Sequence, residues 1–123
     1  DSGRPNASWS LMVLEIECGT ECEQLGYLAT QVVKGLGKDS SRVSKVLMRG
    51  NLAPETIGEN SAFKDFTSLR SQDTKALSQV SLGRPGLFLR DPNGNVILFY
   101  PVKNAGKPML KDLKHLLKLS NIG

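Results

Sequence analysis

Cys18 and Cys22 stand with three residues between them in the stretch IECGTECEQL, and they are the only cysteines of the chain. Such a pair can pass electrons as dithiol and disulfide, hold a soft metal ion, or staple a loop. A bridge closing so short a loop adds little stability, which argues against a purely structural purpose. With Cys22 in the first turn of a helix and Cys18 in the loop before it, the two sulfurs approach bonding distance if the loop folds back, and Gly19 permits that. Unpaired amides at a helix start, with the positive end of its dipole, favour thiolate over thiol. Cys18 and Cys22 are therefore the candidate catalytic residues.

Other groups shape what this pair can do. Glu15, Glu17, Glu21 and Glu23 crowd it with negative charge, which slows nucleophilic attack and attracts a cation, shifting weight toward slow redox or metal handling. Structural zinc needs four ligands, but no further cysteine exists and the single histidine is His115. Monovalent copper is content with two or three soft ligands, so Cys18 and Cys22 are also the candidate copper ligands. His115 lies among Lys107, Lys111, Lys114 and Lys118 and reads as a solvated residue on a solubilising basic face. Met12, Met48 and Met109 fall on apolar faces and read as core rather than thioether ligands. Ser10 has no histidine and acid arranged around it, and no glycine-rich phosphate loop occurs.

The elements that must position the cysteines follow from periodicity. Trp9 to Glu17 (WSLMVLEIE) begins as an almost unbroken apolar run, suited to a central strand buried on both faces. Thr20 to Glu23 has the form of a capping box, predicting a helix start. Leu25, Leu28, Ala29, Val32, Val33 and Leu36 recur at helical spacing for about four turns before Gly37 offers a left-handed cap. Arg42 to Met48 reads as a second, parallel strand. Across 51–81, Phe63, Phe66 and Leu69, then Ala76, Leu77 and Val80, suggest one interrupted helix. GLFLRD, the turn Pro92-Asn93-Gly94 and NVILFY form a hairpin signature. Pro85, just before that hairpin, suits either a cis bond placing backbone opposite the cysteines or a trans bond that only begins the strand. Pro108 to Leu119 closes the chain as an amphipathic helix. The order β-α-β-α-β-β-α is that of an α/β, thioredoxin-like domain, a mixed sheet with helices on both faces. Chemistry in such sheets gathers beyond the carboxyl ends of strands, where Cys18 and Cys22 fall.

At 123 residues the chain fits one domain, 1–123. Its net charge of +4 is scattered and aromatics make up only 6%, unlike the basic, aromatic-bearing surfaces that bind nucleic acid. Apolar runs as short as Leu11 to Leu14 cannot span a bilayer. The polar lead-in of residues 1–8, DSGRPNAS, reads like a cut edge, with any signal or membrane anchor expected upstream.

The strand WSLMVLEIE, the CxxxC pair at a helix start, the run KGLGKDSSRVSKVLM, the hairpin GLFLRDPNGNVILFY and the ending LKDLKHLLKLS together resemble the Sco-like thioredoxin-fold proteins encoded beside cytochrome oxidase genes in proteobacteria. The resemblance covers nearly the whole chain. It implies an amino-terminal membrane anchor, a domain facing the periplasm, and work on the oxidase copper centre with an oxidase subunit or another assembly factor as partner. That work is either carrying copper or keeping the receiving cysteines reduced, and Cys18 and Cys22 match the family's cysteine pair. Two departures are visible: Gly19 and Glu23 stand where Sco proteins have prolines, and SQVSLGRPG lacks the histidine that supplies a third copper ligand. They favour thiol–disulfide exchange or weak copper handling over tight copper binding. Other classes to weigh are a thiol peroxidase, because Cys18-Gly19-Thr20 is similar to the cysteine motif of glutathione peroxidases, and a non-catalytic module that docks onto an oxidase subunit.

Overall fold

A computed structural model describes residues 8–15, 19–49, 61–70 and 74–120. Strand β1 (Trp9–Leu14) is buried along its whole length, as a run apolar on both faces requires. It stops before the expected Glu17, because Glu15 already takes helical geometry; 16–18 lie outside the described residues. Helix α1 (Cys22–Gly35) follows a short 3₁₀ turn at Gly19–Glu21. The expected capping box does not form: Thr20 sits inside that turn, and the helix begins behind Glu21 with no side-chain cap. Gly37 does adopt the left-handed conformation, at φ +61°, and leads through a 3₁₀ segment, Gly37–Arg42, into β2 (Val43–Arg49).

The interrupted helix expected across 51–81 is corrected. Within it lie a 3₁₀ turn at Ser61–Phe63, a strand β3 (Thr67–Arg70) and a helix α2 (Thr74–Ser81), while 51–60 and 71–73 are outside the described residues. Phe63 and Phe66 do meet, edge to face with ring centroids 4.9 Å apart, but Leu69 belongs to the strand. Their spacing mimicked a helix because a turn followed by an extended segment can carry the same intervals. Strands β4 (Gly86–Arg90) and β5 (Val96–Pro101) and helix α3 (Lys107–Leu119) complete the chain as expected.

The five strands form one sheet in the order β3-β2-β1-β4-β5. β1 runs parallel to β2 and β2 to β3, whereas β4 is antiparallel to both β1 and β5. The period-two alternation of side chains divides the core between two faces. Leu11, Val13, Leu47, Leu87 and Leu89 pack with Leu25, Ala29, Met109 and Leu113 of α1 and α3, and Met12, Leu14, Val46, Met48 and Phe88 pack with Leu77 of α2 on the other side. The result is a thioredoxin-like fold with helices on both faces and one more strand than expected.

The hairpin turn is held by Asp91, whose Oδ1 accepts the amides of Asn93 and Asn95 at 3.0 and 2.9 Å. Arg42 ties the end of α3 to the base of β2 by donating from Nη1 to the Leu117 carbonyl and from Nη2 to that of Ser120, both at 3.0 Å. Both carbonyls lie at the C-terminal end of α3, and that of Leu117 also accepts the Ser120 amide at 3.3 Å.

Candidate functional site

Cys22 is the first residue of α1, 8% exposed, and takes part in a disulfide. The chain's only other cysteine, Cys18, lies outside the described residues. Gly19, at φ +52°, supplies the left-handed turn that the approach to α1 requires. Cys22 therefore occupies the positive end of a four-turn helix, in the connection that follows the central strand.

The start of β4 reaches the same end of the sheet. Val13 pairs with Leu87 in antiparallel register, so Arg84 and Pro85 lie at the sheet end where β1 finishes. The Arg84–Pro85 bond is trans, as no cis peptide occurs among the described residues, and Pro85 leads directly into β4. Just before it, Leu82 holds φ +58° and is 79% exposed. A left-handed leucine is uncommon and such conformations gather at working surfaces. The end of α2 sets it there, with the Gly83 amide donating to the Ser78 carbonyl at 3.1 Å and Arg84 Nε to that of Ser81 at 3.1 Å.

The expected crowd of carboxylates is reduced by a residue that sequence reading passed over. Arg49, 2% exposed at the end of β2, donates from Nε to Glu15 Oε2 at 3.1 Å. Parallel pairing of Leu14 with Met48 is what brings Glu15, just past β1, beside Arg49 at the end of β2. Glu15 is thus a compensated charge rather than a free one. Glu23 is exposed on α1 and Glu21 half-buried; Glu17 is outside the described residues. The only signal that could have found Arg49 was an arginine closing an apolar strand next to the cysteine-bearing connection.

Beside Cys22, a shallow groove of about 600 Å³ runs along α1, lined by Thr20, Glu23, Gln24, Tyr27, Leu28 and Gln31. Tyr27 is 47% exposed there, an aromatic surface within reach of anything that docks at the helix start. No three His, Cys, Asp or Glu side chains cluster as a metal site among the described residues. Met12, Met48 and Met109 are all buried in the core, and His115 is exposed on α3. Ser10 is buried and accepts a hydrogen bond from Arg90 Nη2 at 3.3 Å. No helix of the described residues is long and apolar enough to cross a membrane.

Residues 9–120 match the model of a family described as the transmembrane-like, thioredoxin-like, C-terminal domain. No curated protein shows significant sequence similarity to the chain. Among solved structures it is similar to the thioredoxin domain of a thiol-disulfide oxidoreductase from Bacteroides vulgatus (TM-score 0.58, 14% identity, covering 88% of this chain and 80% of that one). It is also similar to Bradyrhizobium japonicum ScoI with copper bound (TM-score 0.57, 14% identity, 89% and 85% covered). Thioredoxin from Wuchereria bancrofti aligns with a TM-score of 0.56 at 16% identity, over 94% and 84% of the two chains. Identities this low carry the fold, which all three share with this chain.

Proposed function

Because the chain belongs to the transmembrane-like, thioredoxin-like C-terminal domain family, we propose that it is a membrane-anchored, periplasmic thiol–disulfide exchange protein serving assembly of the cytochrome oxidase copper centre, with Cys18 and Cys22 as its reactive pair. The observation that carries this reading is the disulfide of Cys22 at the amino end of α1. The Sco-like resemblance of the sequence supports the oxidase setting, with an oxidase subunit or assembly factor as partner.

Cys22 is screened by the core, so Cys18 is assigned the attacking role. In the reducing direction the Cys18 thiolate attacks one sulfur of the partner's disulfide, forming a mixed disulfide and releasing the partner's other sulfur as a thiolate. Cys22, losing its proton to solvent, then displaces the partner's remaining sulfur from Cys18. The partner leaves as a dithiol, reduced by two electrons, and Cys18 and Cys22 end as the disulfide. The helix amides and dipole stabilise the thiolate at the start of this sequence. The pairing of Glu15 with Arg49 supports the reading, since it removes one of the carboxylates that would oppose that thiolate.

The test is a glutathione redox titration of the wild type, Cys18→Ser and Cys22→Ser, alongside Cu(I) uptake and peroxide turnover. Exchange in the wild type, inertness of Cys18→Ser and a trapped mixed disulfide in Cys22→Ser are expected. Cu(I) retained by the reduced wild type without exchange would replace this reading by copper handling. Peroxide turnover would make the protein a thiol peroxidase, and silence in all three assays a binding module.

A further inference from the structure

At the far side of the sheet from β3, an open groove of about 710 Å³ runs between β5 and α3. Its floor is apolar, made by Leu98, Leu116 and the ring of Tyr100, and Lys111, Lys114 and Lys118 line it from the helix. The one carboxylate among the lining residues, Asp112, accepts the Tyr100 hydroxyl at 2.5 Å, so the rim is positive. β5 is the edge of the sheet and pairs only with β4 among the described residues. Beside it on the strand, Ile97 is 41% exposed. Unpaired strand edges that carry exposed apolar residues are templates for a further strand, and natural edges are commonly blunted against this.

We propose that the β5 edge and this groove form a docking site for an acidic, extended segment of a partner protein, taken up as an additional strand of the sheet. Side chains of an added strand alternate between faces, so every second one enters the groove. Apolar ones there cover Leu98 and Leu116, acidic ones meet the three lysines, and those on the other face cover Ile97. An anionic lipid headgroup would meet the lysines but leave the apolar floor and the strand edge unused. Main-chain pairing with side chains seated in pockets is an established mode of peptide recognition. This site lies apart from Cys22 and does not depend on its chemistry.

The probe is a fluorescein-labelled nonapeptide, Glu-Val-Leu-Val-Glu-Val-Leu-Val-Glu, followed by anisotropy with the whole chain, next to a control with lysine for each glutamate. The acidic peptide should bind, the control should not, and added salt should weaken binding. The double variant Lys114→Glu/Lys118→Glu replaces two exposed residues and should weaken binding by about tenfold or more, through loss and reversal of complementary charge. Hydrogen exchange at the β5 amides should slow when the peptide is bound. Equal binding of the lysine control, unchanged exchange at β5, or lysine-dependent sedimentation with phosphatidylglycerol vesicles while the peptide fails would each overturn the proposal.

Discussion

Arg49 and Glu15 form an ion pair of 3.1 Å at the ends of adjacent parallel strands, with side chains 2% and 10% exposed. Two consequences follow from its burial. The pair sets the local charge beside the connection to α1, and it cannot be broken on one side without leaving a buried ion.

Removing one partner of a buried pair costs about 3–5 kcal/mol, whereas replacing both by apolar groups is often close to neutral. Arg49→Met and Glu15→Leu are each expected to lose stability in that range, and Glu15→Leu/Arg49→Met much less than their sum. Urea unfolding of the three variants at pH 7 checks this. Additive losses would show that the two charges do not depend on one another.

Arg42 serves helix α3 more than it serves Asp39. Its guanidinium holds two terminal carbonyls at 3.0 Å, while the Asp39 carboxylate is 3.7 Å away and 39% exposed. Arg42→Ala should cost about 1–3 kcal/mol, since charged hydrogen bonds are lost from partly buried carbonyls. Asp39→Ala should cost about 0–1 kcal/mol, the range of exposed pairs. Equal losses in thermal or urea unfolding would refute this division.

Tyr100 gives stability an alkaline dependence. Burial raises its phenol above the ordinary tyrosine value, helped by the hydrogen bond to Asp112 and that carboxylate's charge. The folded state then holds the proton more tightly than the unfolded chain, so the contribution is complete below the ordinary value of about 10 and is lost as pH rises beyond it. Wild type should therefore lose stability above that pH more steeply than Tyr100→Phe. Unfolding midpoints from pH 8 to 11 decide it, and parallel curves would sink the assignment.

Gly86 opens β4 where a side chain has no room. A Cβ there would run into the Tyr100 carbonyl oxygen and the Phe99 ring, the latter at 2.7 Å. Gly86→Ala should destabilise by about 1–3 kcal/mol, as overpacking does, and disturb the β4–β5 pairing. Amide exchange across the hairpin is the measurement; unchanged protection would contradict the clash.

Much of this architecture could be read in advance, for local reasons. The unbroken apolar run of β1 required burial on both sides, the helical spacing of Leu25 to Leu36 required an apolar stripe, and Asp91 to Gly94 spelled a hairpin turn. Strand β3 was hidden because TSLR is short, polar and at a sheet edge, so nothing in its pattern separates it from a loop or a helical continuation. The capping box at Thr20 was legible as a motif but did not form, because the residues before α1 had already wound into a 3₁₀ turn.

The element types on either side of the cysteines are written locally, because periodicity and turn chemistry act between residues close in the chain. The charge beside the site and the approach of β4 to that end of the sheet came from pairing between distant strands. Arg49 meets Glu15 through the register of two parallel strands, and Arg84 and Pro85 reach the same sheet end through an antiparallel one. The same is true of the β5–α3 groove, whose lysines read as an ordinary solvated face until packing set Leu98, Leu116 and Tyr100 between them. Strand register is set by burying whole faces against one another, and no local stretch of residues contains that information.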